Sequence, residues 1–300
     1  MKLKARIYYL YIALVLLYAG LTFLVPPPAA ALQKYHVSLL QLRLIDITVL
    51  IPYFLIWLAG FYGYDRLKNY CQHIKGSRDG KQVNLLCKGI LLLVLWPALS
   101  SIAASIFDPM SRKYLAERGT FTIINEYFNL IWPLVGFILI ESGARGLSEL
   151  AKLRPSQRST HVIALALIAS GVLYGYLVSY AFNQSRANYY LPYWVVLATL
   201  VIPYIYMWFL GLLAAYQVYL YQRKVSGVVY RRSWKLLSLS IGAIIVLQIL
   251  VEYANTIITK LAALSLGWYV LLIYIVLGCL AVGYILLAKG AKKLRRIEEV

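Results

Sequence analysis

Residues 48–60 read TVLIPYFLIWLAG and residues 199–211 read TLVIPYIYMWFLG, so one apolar motif occurs twice, 151 residues apart. Both copies keep Thr, Ile-Pro-Tyr, Trp and Gly at the same spacing, and both lie inside long apolar segments. Segments of this kind predict membrane-spanning helices, because lipid offers no partner for unpaired backbone groups. The repeated motif therefore predicts two copies of one helical membrane unit.

The composition of the whole chain is typical of a membrane protein. Hydrophobic residues make up 62% and charged residues only 14% of the 300 residues, whereas about a quarter of the residues in soluble domains are charged. The formal net charge of +19 would favour nucleic-acid binding in a soluble protein. Here the basic residues lie between apolar segments, where helix orientation and anionic lipid headgroups explain them. We therefore expect membrane lipids as partners and no nucleic acid.

Eight apolar segments are long enough to cross ~30 Å of hydrocarbon. They are approximately residues 7–25, 45–64, 86–107, 121–141, 161–182, 193–220, 236–258 and 268–288. Their even number places both termini on one side of the membrane. Of the 30 Lys and Arg residues, 23 fall on that side and 7 on the other. This bias predicts a multi-pass protein of the cell (plasma) membrane with both termini in the cytoplasm.

Residues outside the motif extend the repeat over both halves of the chain. At the offset of 151 residues, matched pairs are Gly20 and Gly171, Tyr70 and Tyr221, and Gly76 and Gly227; at 147 residues they are Gly136 and Gly283, and Gly143 and Gly290. We therefore predict an all-α polytopic protein formed by tandem duplication of a four-helix unit, residues 1–150 and 151–300, the second with a basic cytoplasmic tail. Four helices return the chain to the same side, so the units are expected to be parallel repeats about an axis along the membrane normal.

Polar side chains inside the apolar segments are the candidate ligand-binding residues, because intramembrane acids are costly and usually functional. They form a stripe on the seventh segment, a cluster on the fourth, and one position on the third: Gln248, Glu252, Asn255; Asn125, Glu126, Asn129; and Ser101. Their positions predict an outward-opening cavity for a small solute or cation. The alternative interpretation is a set of interhelical hydrogen bonds that stabilise the bundle.

Other features of the sequence argue against an enzymatic function. Glu141 lies at the end of the fourth segment, four residues before Arg145, which predicts a local ion pair. No zinc-protease, serine-hydrolase or P-loop motif occurs. We therefore expect no enzymatic activity and no cofactor or metal.

Two functions remain open from the sequence. The first is binding or translocation of a small solute, ion or lipid between the two repeats. The second is a non-catalytic sensor or scaffold subunit that docks a partner through its basic cytoplasmic face, including residues 289–300. The stripe Gly171, Gly175 and Ser179 fits close packing either within one bundle or between copies in a homo-oligomer.

Overall fold

The computed structural model describes residues 2–24, 39–77, 79–113, 118–153, 155–184, 198, 201–224, 227–261 and 266–298, and for parts of the helices only the backbone is described. These ranges form eight α-helices: α1 Lys2–Leu24, α2 Leu39–His73, α3 Gly80–Lys113, α4 Arg118–Leu150, α5 Gln157–Gln184, α6 Ile202–Lys224, α7 Val228–Leu261 and α8 Leu266–Glu298. The prediction of an all-helical protein is confirmed.

Several helices are longer than a membrane crossing requires. Helices α2, α3, α4, α7 and α8 contain 33 to 35 residues each, which corresponds to about 50 Å at 1.5 Å per residue. A hydrocarbon layer of ~30 Å would leave several turns outside it. Pro52 lies inside α2, and Pro203 is the second residue of α6.

Six helices form the centre of the bundle and two lie at its periphery. Helix α3 packs along α4, α7 along α8, α2 along α8, and α4 along α6. Helices α1 and α5 pack less extensively, α1 on α2 and α3, and α5 on α6 and α7. The indole rings of Trp57, Trp208 and Trp234 are fully buried in the core. The core therefore lies among α2, α3, α4, α6, α7 and α8.

The outer surface is apolar over long stretches. Among the described residues, three helices contain segments long and apolar enough to cross a membrane, Gly80–Ser100, Leu130–Leu150 and Gln157–Gly175. Large apolar side chains such as Leu16 and Leu165 are exposed. Exposed apolar surface of this extent is unusual for a soluble monomer and fits a membrane protein.

Close contact between α3 and α4 depends on glycine. A Cβ atom on Gly136 would lie 3.1 Å from the carbonyl oxygen of Gly89, and one on Gly143 would lie 2.6 Å from the carbonyl oxygen of Gln82. A side chain at Gly143 would separate the helices, because Cβ atoms do not come so close to backbone, and one at Gly136 would require a shift of a few tenths of an ångström. The glycines thus hold one face of α4 against α3, and Glu141 on the same helix reaches Gln217 on α6.

Candidate functional site

The seven side chains predicted to bind a ligand lie outside the described residues. Their backbones belong to α3, α4 and α7, but the structure describes no side chain for any of them: Ser101, Asn125, Glu126, Asn129, Gln248, Glu252 and Asn255. The outward-opening cavity therefore stays a prediction.

A cavity of about 660 Å³, lined in part by charged and polar side chains, lies at the other end of the bundle. We call this end the basic end; the described loop residues there are 74–77, 79, 151–153, 155, 156 and 227. Its walls are the last turns of α4, the loop that follows, the start of α5 and one face of α6. We call it the Glu141 cavity. Because α4 belongs to residues 1–150 and α5 and α6 to residues 151–300, the cavity lies between the two predicted halves.

A buried carboxylate forms the centre of the Glu141 cavity. Glu141 is 3% exposed, and its Oε1 atom accepts hydrogen bonds from Arg145 Nη2 at 2.7 Å and Nε at 2.9 Å. The predicted ion pair is therefore confirmed. The Arg145 side chain is 59% exposed, so the pair joins a buried acid to the edge of the cavity. The hydrogen bonds to Glu141 within the described residues all end on Oε1.

Gln217 on α6 supplies a buried acceptor beside this acid. Its Nε2 atom donates to Glu141 Oε1 at 3.5 Å, and this bond assigns the orientation of the amide. Its Oε1 atom is buried and accepts no hydrogen bond from the described part of the chain. An unpaired buried acceptor costs about 1–3 kcal/mol. A ligand with an N–H or O–H group would remove that cost.

The walls of the cavity are fixed by hydrogen bonds. Ser148 Oγ donates to the Leu153 carbonyl oxygen at 3.0 Å, and the Leu153 N–H donates to the Ser148 carbonyl oxygen at 2.8 Å. Tyr216 donates to Ser159 Oγ at 3.3 Å, which joins the start of α5 to α6. The exposed side chains of Glu149 and His161 complete the edge. The cavity therefore presents charged groups of both signs on a defined scaffold.

A second polar cluster at the basic end connects the two predicted halves. Tyr221 donates to Asp79 Oδ2 at 2.7 Å, and the hydroxyl groups of Tyr70 and Tyr230 lie 3.2 Å apart. Burial, followed by the hydrogen bond to Asp79, raises the pKa of Tyr221 above its usual value, so the hydroxyl keeps the proton that it donates. A cavity of about 360 Å³ lies beside this cluster. Because these groups pair with one another, the cluster is better explained as a structural contact.

The described residues offer no metal site. Within them, no group of three or more His, Cys, Asp or Glu side chains is arranged to hold a metal ion. Cys71 and Cys87 are buried free thiols, and Cys71 donates a hydrogen bond to the Val83 carbonyl oxygen at 3.5 Å.

Sequence reasoning singled out Glu141 only as half of an ion pair and did not select Gln217. Gln217 interrupts the sixth apolar segment, and a buried amide in such a segment needs partners. That signal was available, but nothing in the spacing indicates that α6 faces α4.

No protein-family model, curated protein or solved structure matches this chain.

Proposed function

We propose that this chain is a multi-pass protein of the plasma membrane that binds a small solute, ion or lipid headgroup between its two halves, in the Glu141 cavity. In this proposal eight helices cross the membrane and both termini lie in the cytoplasm. The observation that carries the proposal is the buried Gln217 Oε1, without a partner in the described residues, next to a buried carboxylate in a cavity of about 660 Å³.

Helix contacts at two matched glycines support tandem duplication of residues 1–150 and 151–300. A Cβ atom on Gly60 or Gly211 would meet neighbours at equivalent positions, Val94 and Tyr284 for Gly60, and Ile245 and Phe137 for Gly211. In both cases one neighbour comes from the glycine's own half and the other from the opposite half. Such reciprocal contacts are what a two-fold axis between two copies requires.

The loops at the basic end support a parallel arrangement of the halves. Gly76 and Gly227 have positive φ angles of 101° and 90° in matched loops, a conformation that favours glycine. The hydrogen bonds of the second polar cluster are also reciprocal, since Tyr70 and Tyr221 are matched positions and each contacts the opposite half at matched positions, Tyr230 and Asp79. These matched residues therefore meet at one end of the bundle, as expected for an axis along the helices.

Exposed basic side chains support a cytoplasmic location for the basic end. Many Lys and Arg residues near its loops are exposed: Lys75, Lys81, Lys88, Lys152, Arg158, Arg223, Lys224, Arg231, Arg232 and Lys235. The inner leaflet is anionic, and each such residue near its surface contributes about 1 kcal/mol of attraction. Anionic headgroups are therefore the proposed general partners of this face.

Native mass spectrometry of the full chain, purified in a mild detergent, tests the binding function. We expect the wild-type protein to carry a bound small molecule that is lost in Gln217→Leu, which has similar volume but no acceptor. Gln222→Leu is the matched control, because Gln222 is also buried on α6 with an amide oxygen that has no partner among the described residues but does not line the cavity. Equal effects of the two substitutions, or an unliganded wild-type protein, would contradict the proposal. A protein that co-purifies through the basic face, with no small molecule, would favour the sensor or scaffold function instead.

A further inference from the structure

We propose that the ligand is a phospholipid with a zwitterionic head that contains a primary ammonium group, of the phosphatidylethanolamine class, and that it enters sideways between α5 and α6. This inference rests on the proposed function, because the Glu141 cavity is its headgroup site. The chemical class follows from the groove that continues the cavity and from the groups that the cavity presents.

An apolar groove of about 450 Å³ lies between the same two helices, and we call it the α5–α6 groove. Its lining residues continue those of the Glu141 cavity at spacings of three or four: Thr160, Ala164, Leu167 and Gly171 on α5, and Gln217, Leu213, Phe209 and Ile205 on α6. Residues at such spacings share one face of a helix. The cavity and the groove therefore lie in line along the same helix faces, and in this proposal they are the polar and apolar parts of one cleft.

The α5–α6 groove is accessible from the lipid phase. Helix α5 is peripheral, and the groove residues Val172 on α5 and Tyr206 on α6 are 59% and 53% exposed. Gly171 allows the close approach of the two helices, because a Cβ atom there would overlap the side chain of Ile205. An acyl chain could therefore lie in the groove while the rest of the lipid remains in the bilayer.

The dimensions of the cleft fit one leaflet. Eleven residues separate His161 at the cavity from Val172 in the groove, a rise of about 17 Å, and half of the hydrocarbon layer is ~15 Å. The predicted fourth and fifth apolar segments end and begin at Glu141 and His161. The charged part of the cleft thus lies at headgroup depth, and the apolar part spans the leaflet next to it.

The charges of the Glu141 cavity favour a zwitterion over an anionic head. Arg145 offers an exposed guanidinium to the phosphate, and Arg pairs well with phosphate oxygens. The carboxylates of Glu141 and Glu149 oppose a head with net negative charge. An ammonium group can reach the acid side of the cavity at the same time.

Hydrogen bonding selects the kind of ammonium group. Gln217 Oε1 and Glu141 Oε2 are both acceptors, and neither accepts a hydrogen bond from the described part of the chain. A primary ammonium has three N–H donors for them, whereas the quaternary ammonium of a choline head has none. Of these two ammonium heads, only the primary one can donate to the buried Gln217 acceptor.

The equivalent space in the first half is filled by aromatic rings. Phe54 takes the position that Ile205 has in the second half, and its ring packs edge-on against Tyr18 of α1 at 6.5 Å and 90°. Tyr18 also contacts Trp57 at 5.5 Å. The scaffold therefore does not require an open cleft, and its presence between α5 and α6 is a specific feature of the second half.

The test uses the full chain in lipid nanodiscs, with phosphatidylethanolamine and phosphatidylcholine of identical acyl chains as probes. We expect the wild-type protein to retain phosphatidylethanolamine about 10-fold more strongly, as the loss of one hydrogen bond from a charged donor implies. Gln217→Leu should make the two lipids equal. Equal retention by the wild-type protein would overturn the inference.

A groove variant and a soluble probe separate the inference from the proposed function. Val172→Trp should fill the groove and lower lipid retention severalfold, whereas Leu173→Trp, at a neighbouring exposed position outside the groove, should not. Soluble glycerophosphoethanolamine should still bind to Val172→Trp, because its site is the cavity alone. If that probe, or another small molecule, binds through Gln217 while the two tryptophan variants behave alike, the lipid inference is wrong and the proposed function stands. If nothing binds through Gln217, both are wrong.

Discussion

Removal of Arg145 should destabilise the protein by leaving Glu141 charged, buried and poorly paired. In Arg145→Ala the carboxylate loses hydrogen bonds of 2.7 and 2.9 Å and keeps only the 3.5 Å bond from Gln217. Breaking a fully buried ion pair costs about 3–5 kcal/mol, but Arg145 is 59% exposed and exposed partners contribute less because water screens them. We therefore expect a loss of about 1–2 kcal/mol in the free energy of unfolding.

A second substitution, Glu141→Gln, should have different effects on the free energy of unfolding in the two backgrounds, which is a stricter test. In the Arg145→Ala background, Glu141→Gln removes the uncompensated charge and should restore about 1 kcal/mol, although it should be neutral or destabilising in the wild-type background. The measurement is reversible unfolding in mixed micelles, followed by the fluorescence of the buried tryptophans. Arg223→Ala is the control, because Arg223 also contacts a side chain four residues earlier, Tyr219, but on an exposed surface, and it should cost under about 0.5 kcal/mol. A further loss of stability on adding Glu141→Gln to Arg145→Ala would refute the reasoning.

Three further predictions concern packing, ionisation and topology. Gly89→Ala should cost about 1–3 kcal/mol, because its Cβ would lie 2.5 Å from the carbonyl oxygen of Gly136, whereas Gly20→Ala, with nothing within 4 Å, should be neutral or stabilising in the same unfolding assay. Burial and the bond to Asp79 raise the pKa of Tyr221. The stability that the protonated Tyr221 hydroxyl contributes should therefore be complete below about pH 10 and decline at higher pH. Tyr221→Phe should weaken this decline in the free energy of unfolding. A cysteine at exposed position Lys75 should react with a membrane-impermeant maleimide only after cells are opened, and labelling of intact cells would contradict the proposed topology.

The helical class of the protein and one local contact could be predicted from sequence because both depend on local spacing. Apolar segments of membrane length predict helices wherever lipid is the solvent, and the described ranges are helical throughout their apolar segments. The Glu141–Arg145 pair needs only two residues four positions apart on one helix. Its contact with Gln217 could not be predicted in this way, because it depends on which faces of α4 and α6 meet. That choice is made by tertiary packing, including the approach of Phe137 to Gly211.

The buried position of Glu141 also explains why sequence reasoning favoured the opposite end of the bundle. Acids in the middle of apolar segments are costly and therefore indicate function, which is why Glu252 and Glu126 are candidate ligand-binding residues. Glu141 lies at the end of its segment, where the sequence predicts a local ion pair with Arg145 and no more. The side chain is nevertheless buried, because α4 continues to Leu150 and α6 to Lys224. Helices that continue past the hydrocarbon layer can bury polar groups outside it.

The asymmetry between the halves limits the proposed ligand to one per chain. Under the duplication, the positions equivalent to Glu141 and Gln217 are Ala288 and Arg66. Ala288 has no polar side chain, and the Arg66 guanidinium is a donor whose Nε is buried without a partner in the described residues. The equivalent location therefore lacks both acceptors that a primary ammonium would use. Native mass spectrometry should show a single Gln217-dependent adduct, and two adducts of equal retention would mean that the acid and the amide are not what selects the ligand.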